Sequence, residues 1–178
     1  MEKKEISYRI VRSDRKTLSL EITAQGEVLV RAPRRLSGAA IARFVRSKEG
    51  WLRSRPAQPT LTEEEMAELR AGAREEFTTL VAKWAPRLGV TYGKITIRAQ
   101  KSRWGSCSAQ GNLNFNCLLM LAPAEVREYV AVHELCHRKY MNHSAQFWAA
   151  VANALPDYER CRKWLKDNGN SLLSRLPG

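Results

Sequence analysis

The chain has 178 residues and a formal net charge of +12, and 44% of its residues are hydrophobic. This fraction is enough for a folded core, which argues against a disordered protein. No apolar run is long enough to cross a bilayer, and the charged N-terminal start lacks the apolar stretch of a secretory signal, so we expect a cytoplasmic protein with no membrane partner.

The positive charge is concentrated in the N-terminal third of the chain. Residues 1–55 carry 14 Lys and Arg against 6 Asp and Glu, a net charge of +8, whereas residues 56–178 have a net charge of +4. An excess of this kind attracts nucleotides or nucleic acid, but it is equally typical of a solvated protein surface. No known nucleic-acid motif accompanies the charge, so both interpretations stay open.

The N-terminal elements form a small module of strands followed by a helix. Alternating apolar residues predict three short strands: residues 5–11, 17–23 and 27–31. Turn residues between them favour an antiparallel β-meander. A helix follows Ser37, its predicted N-cap, and the two prolines of residues 54–60 indicate a linker. We therefore predict an N-terminal β-meander and helix module over residues 1–55.

The rest of the chain begins with a long helix. Thr62 and Glu65 have the spacing of a capping box, and an apolar stripe follows them. Two alternating runs, residues 94–99 and 113–117, then predict a second antiparallel unit. The second run would offer an edge for an extended peptide if it were exposed.

Three further helices are predicted towards the C-terminus. Pro123 and Ser144 suit the starts of the first two, and Asp157 starts the third, which Asn168 and Gly169 are expected to end. These elements predict a second domain over residues 60–170 and a loosely held tail over residues 171–178.

All three histidines of the chain lie in one stretch, H-E-L-C-H-R-K-Y-M-N-H. His133 and His137 are four residues apart, so a helix projects both imidazoles from one side, as two nitrogen ligands of one metal ion require. Glu134 is placed to take a proton from a metal-bound water. His143 follows at a joint between two helices, where it can complete a three-ligand site with an open fourth position.

The joint itself is predicted from two polar residues. Asn142 can adopt the left-handed conformation that ends a helix, and Ser144 can cap the next one. The four cysteines form no C-x-x-C pair, which argues against a Cys₄ zinc site and favours free thiols. A fourth metal ligand from Cys107, Cys117 or Cys161 would make the metal structural rather than catalytic.

The histidine stretch and its surroundings resemble the YgjP-like (DUF45) zinc metallopeptidase family, which is related to the SprT and WLM groups. The matching segments are K-S-R-W-G-S-C-S at residues 101–108, N-F-N at residues 114–116 and H-S-x-x-F-W at residues 143–148. The resemblance implies an α+β, zincin-like fold in which a small antiparallel sheet packs on the active-site helix. One strand of that sheet forms the rim of the cleft.

The resemblance also implies Zn²⁺ as the cofactor, with His133, His137 and His143 as its ligands and Glu134 as the general base. The implied activity is hydrolysis of peptide or protein substrates by a metal-activated water. The tetrahedral oxyanion needs a second electrophile. The candidates for that role or for the substrate cleft are Arg103, Trp104, Tyr140 and Tyr158.

Packing explains two of these candidates as well. Tyr140 continues the apolar face of its helix, and Trp104 can simply pack against the active-site helix. Two alternative functions stay open beside the metallopeptidase. One is a metal-dependent hydrolase of nucleotide phosphoanhydrides (a nucleoside triphosphate pyrophosphatase), and the other is a nucleic-acid-associated protein with a zinc site.

Overall fold

The computed structural model describes residues 6–23, 26–53 and 59–177. It divides into two compact units, one of residues 1–60 with residues 174–178 and the other of residues 61–173. Both units combine helices with a small sheet, so the predicted α+β class is confirmed. Most of the predicted linker at residues 54–60 lies outside the described residues. The predicted domain bounds stay a prediction.

The sheet of the first unit has three strands: β1 (Tyr8–Ser13), β2 (Ser19–Ile22) and β3 (Val28–Pro33). Its order is β1-β3-β2, with β3 parallel to β1 and antiparallel to β2. The predicted antiparallel meander, which would place β2 in the middle, is therefore wrong in its pairing. β3 takes the centre because it is the most apolar of the three, with Leu29, Val30 and Ala32 buried.

Two helices follow this sheet: α1 (Gly38–Ser47) and α2 (Glu49–Arg53). The predicted N-cap is confirmed, because Ser37 Oγ accepts a hydrogen bond from the Ala40 amide at 3.3 Å. The core of the unit joins one face of the sheet to the helices through Leu20, Val30, Ala32, Ile41, Val45 and Leu52.

The second unit is organised around α3 (Glu63–Leu88), which starts at the predicted capping box. Thr62 Oγ1 accepts from the Glu65 amide at 3.2 Å, and the Glu65 carboxylate accepts from the Thr62 amide at 2.8 Å. Its buried face includes Phe77, whose ring stacks on Phe115 with 4.2 Å between centroids. This contact joins the helix to the sheet of the unit.

That sheet consists of β4 (Ile95–Arg98), β5 (Gly105–Cys107) and β6 (Leu113–Asn116) in the order β4-β6-β5. β6 runs parallel to β4 and antiparallel to β5. The predicted antiparallel pairing of residues 94–99 with residues 113–117 is therefore wrong, and the sheet is mixed. Both edges of β6 are thus occupied, so the hypothesis that an extended peptide pairs with it is wrong. Among the described strands, none pairs with the outer edge of β5.

The remaining helices carry the candidate site: α4 (Ala124–Cys136), α5 (Ala145–Ala154) and α6 (Tyr158–Leu173). A 3₁₀ helix, Cys117–Leu121, connects β6 to α4. Ser144 caps α5 as predicted, because its Oγ accepts from the Phe147 amide at 3.4 Å. None of the described helices is long and apolar enough to span a membrane.

Two predicted helix ends differ from the structure. α4 ends at Cys136, whose carbonyl accepts from the amides of Lys139 and Tyr140 at 3.0 Å, and no described residue other than glycine has a positive φ. The predicted left-handed end at Asn142 is therefore wrong. α6 continues past Gly169, which is buried against the Trp104 ring, where a Cβ would lie 3.0 Å from a ring carbon. Gly169 serves close packing there rather than helix termination.

Candidate metal centre

The structure brings all three histidines together at the C-terminal end of α4. His133 lies on the last turn of α4, His137 is its C-cap residue, and His143 lies two residues before α5. Their ligand atoms are all within 4.8 Å of one another, and the Nε2 atoms of His133 and His143 are 3.0 Å apart. Within the described part of the chain, no cysteine or carboxylate joins this group.

Hydrogen bonds orient two of these rings. His137 Nδ1 lies 3.0 Å from the Tyr140 carbonyl oxygen, which accepts only from a protonated nitrogen, so Nε2 keeps its lone pair. His133 Nδ1 lies 3.5 Å from the Tyr129 hydroxyl. Partners of this kind fix ring orientation and tautomer at metal sites.

The donor set fits a tetrahedral divalent ion. Two nitrogens bound to zinc at about 2.0–2.1 Å lie roughly 3.3 Å apart in tetrahedral geometry, close to the spacing of the His133 and His143 nitrogens. Burial, and then the neighbouring imidazoles, lower the pKa of His133 to about 3. Burial also lowers the pKa of His137. Both rings are therefore neutral at ordinary pH, which is the form that binds a metal.

One aromatic side chain supports all three rings. Phe147 of α5 is fully buried, and its ring centroid lies 4.9, 4.5 and 4.8 Å from those of His133, His137 and His143. Trp148 stacks on the outer face of His143 at 5.5 Å. In the sequence Phe147 stands out only as part of the H-S-x-x-F-W segment, and its role as the common support of the cluster is visible only in the structure.

Glu134 lies beside the cluster and is only 5% exposed. Burial raises the pKa of its carboxyl to about 8, and the positive charge of Arg103 opposes this shift. The side chain lies against the backbone of β5. A Cβ added at Gly105 would be 2.5 Å from Glu134 Oε1 and 2.8 Å from its Cγ. Because Gly105 has no side chain, the carboxylate can occupy this space. In the sequence Gly105 appears only as part of the K-S-R-W-G-S-C-S segment, and its role is visible only in the structure.

The four cleft candidates have different surroundings. Arg103 is exposed and its charge acts on Glu134. Trp104 is half-buried and packs on Gly169 of α6 rather than standing free in a cleft. Tyr140 contributes its carbonyl to His137. The Tyr158 ring stacks on Trp148 with 5.5 Å between centroids.

Arg138 anchors the end of α4 to the loops around the sheet. Its Nε donates to the Thr91 carbonyl at 2.9 Å, and its Nη1 donates to the Ala109 carbonyl at 3.1 Å. Its guanidinium also lies against Gly111, which has a φ of +85° and no room for a Cβ. All four cysteines are free, as predicted.

More than half of the chain matches one family of known proteins. The model of the YgjP-like family, described as a metallopeptidase domain, matches residues 56–168, which include the three histidines and Glu134. No curated protein matches the chain.

Two solved structures are similar to part of the chain. One is the metallopeptidase zymogen abylysin of Pyrococcus abyssi, with 24% identity over 51% of this chain and 93% of that chain and a TM-score of 0.46. The other is the metallopeptidase zymogen jannalysin of Methanocaldococcus jannaschii, with 21% identity over 51% of this chain and 93% of that chain and a TM-score of 0.45.

Proposed function

The chain belongs to the YgjP-like metallopeptidase family, and we propose on this premise that it hydrolyses peptide bonds with a zinc ion held by His133, His137 and His143. The family and the histidine cluster both support a metal cofactor. The observation that carries the proposal is the convergence of three imidazole nitrogens within 4.8 Å beside one buried carboxylate.

Zinc is the metal that this donor set suits best, because imidazole nitrogens in tetrahedral geometry favour it and three protein ligands leave one position open. When bound, the ion acidifies a water molecule and polarises the substrate carbonyl.

Glu134 handles the protons in this proposal. Its carboxylate accepts a proton from the attacking water and passes it to the amine that leaves. In the absence of a cation, burial favours the protonated acid, but a divalent cation on the neighbouring imidazoles favours the carboxylate. Gly105 holds the position open because it has no side chain in the space of the carboxylate.

The substrate side of the site has two features that suit a peptide. Among the described strands, none pairs with the outer edge of β5, the strand whose Gly105 lies against Glu134, and we propose that the main chain of an extended substrate pairs there. Arg103 is exposed next to the same carboxylate, and we retain it as the second electrophile for the oxyanion.

A paired assay tests the proposed activity. The purified full-length protein is offered casein-derived fluorogenic peptides and, separately, nucleoside triphosphates, before and after metal removal by a chelator. We expect peptide cleavage that is lost when the metal is removed and restored when zinc is added, because the proposed reaction depends on the metal ion as its Lewis acid. Metal-dependent release of pyrophosphate from nucleotides without any peptide cleavage would contradict the proposal and favour the phosphoanhydride hydrolase instead.

A further inference from the structure

An arginine of α6 lies one aromatic ring away from the histidine cluster. The guanidinium carbon of Arg162 is 4.6 Å from the centre of the Trp148 ring. Trp148 in turn stacks on His143, with 5.5 Å between ring centroids and 23° between planes. Stacking on an aromatic face restricts the guanidinium while leaving its edge free to donate hydrogen bonds.

Nearby arginines of the same unit donate to or pair with protein acceptors, whereas Arg162 contacts the Trp148 ring. Arg127 bonds Glu76 at 2.6 Å, Arg138 bonds two carbonyls, and Arg160 lies 3.8 Å from Glu125. Among the described residues, no carboxylate or carbonyl accepts a hydrogen bond from Arg162, which is exposed. A restrained guanidinium with unused donors beside a catalytic site is arranged for an anionic group of a ligand.

We propose that Arg162 is a specificity-determining residue that donates hydrogen bonds to a carboxylate of the bound peptide. The proposal rests on the proposed function, since a peptide is the substrate class it assumes. A carboxylate matches the planar fork of a guanidinium with two parallel hydrogen bonds. An acidic side chain and a free C-terminus both present a carboxylate, and Arg162 would bind either one through the same hydrogen bonds.

Peptide binding by a catalytically inactive variant tests this proposal independently of the proposed peptidase activity. Zinc-loaded Glu134→Gln protein is titrated with labelled peptides that differ only in Glu against Gln near the centre, each with a free or an amidated C-terminus. Fluorescence anisotropy gives the Kd. We expect the peptides with a carboxylate to bind about threefold to fivefold tighter than the neutral, amidated peptide, as for an exposed charged pair. A preference that follows the Glu or the free C-terminus identifies which carboxylate is bound.

Additional substitutions in the Glu134→Gln background assign the preference to one side chain. Arg162→Gln should bring the Kd ratio close to one, and Arg162→Lys should retain only part of the preference because it keeps the charge without the fork. Arg160→Gln, on the same helix and also exposed, is the matched control and should leave the ratio unchanged.

Two results would overturn the inference: a protein with Arg162 intact that binds all peptides alike, or a preference that persists in Arg162→Gln. Zinc content and circular dichroism verify that each variant is folded and loaded. Because this experiment measures binding, a lack of peptide cleavage in the paired assay would overturn the proposed function but would not determine the ratio of the Kd values. A lost ratio, in turn, would leave the proposed function standing.

Discussion

We expect that replacing Glu134 by Gln lowers kcat for peptide hydrolysis by about a thousandfold, within the range that a positioned general base contributes. The amide has the shape of the carboxylate and fits the same buried space beside Gly105, but it cannot accept the proton of the attacking water. The three histidines are unchanged, so the variant should still bind one zinc ion per chain. Peptide-cleavage assays give kcat, and elemental analysis of the purified protein by mass spectrometry gives its zinc content.

Glu125→Gln is the matched control for this substitution. Glu125 lies on the first turn of the same helix and is exposed, with its nearest ion-pair partner Arg160 at 3.8 Å. Its neutralisation should leave kcat within a factor of about two, because exposed pairs of this kind contribute little. Peptide cleavage by Glu134→Gln at the rate of the parent protein would show that this glutamate is not the base.

We expect that replacing Gly105 by Ala also lowers turnover, although it removes none of the groups proposed for the chemistry. The new Cβ would lie 2.5 Å from Glu134 Oε1, 2.8 Å from Cγ and 2.9 Å from Cδ, so the whole carboxylate arm has to move. A misplacement of about 1 Å costs on the order of a hundredfold in rate. We therefore expect kcat to fall by about that factor while zinc is retained, measured with the same peptide and metal assays.

Gly72→Ala controls for the general effect of adding a methyl group. Its Cβ would meet only Met120 Cε at 3.4 Å, an ordinary contact, and Gly72 lies in the interior of α3. This substitution should stabilise the helix by about 0.5–1 kcal/mol and leave kcat unchanged. Full activity in Gly105→Ala would mean that β5 does not position the glutamate. Circular dichroism verifies that both variants fold.

The features that local sequence determines could be predicted. A helix cap depends on residues three positions apart, so Ser37, Thr62 with Glu65, and Ser144 are readable from the chain and are present in the structure. The convergence of His133 and His137 follows in the same way from the periodicity of a helix.

The features that depend on distant contacts could not be predicted. The alternation of apolar residues shows that β1, β2 and β3 are strands, but it does not show which of them lies in the centre of the sheet. Asn168 and Gly169 are residues typical of a helix end. Gly169 instead packs against the Trp104 ring, which is far away in the sequence.

Two residues near the candidate site illustrate the same limit. Gly105 matters because of Glu134, which lies 29 positions later in the sequence, and Arg162 is brought near His143 only by the packing of α6 on the Trp148 ring. Neither relation leaves a periodic pattern in the sequence.

The location of the metal tests the central claim most directly. Crystals of the zinc-loaded protein, measured at the zinc absorption edge, give an anomalous difference map in which zinc is identified by its own anomalous signal. We predict one peak per chain, at about 2.0–2.1 Å from a ring nitrogen of each of His133, His137 and His143, with no fourth protein ligand. A peak bound by a fourth protein side chain, or a His143 that points away from the other two, would contradict the catalytic site.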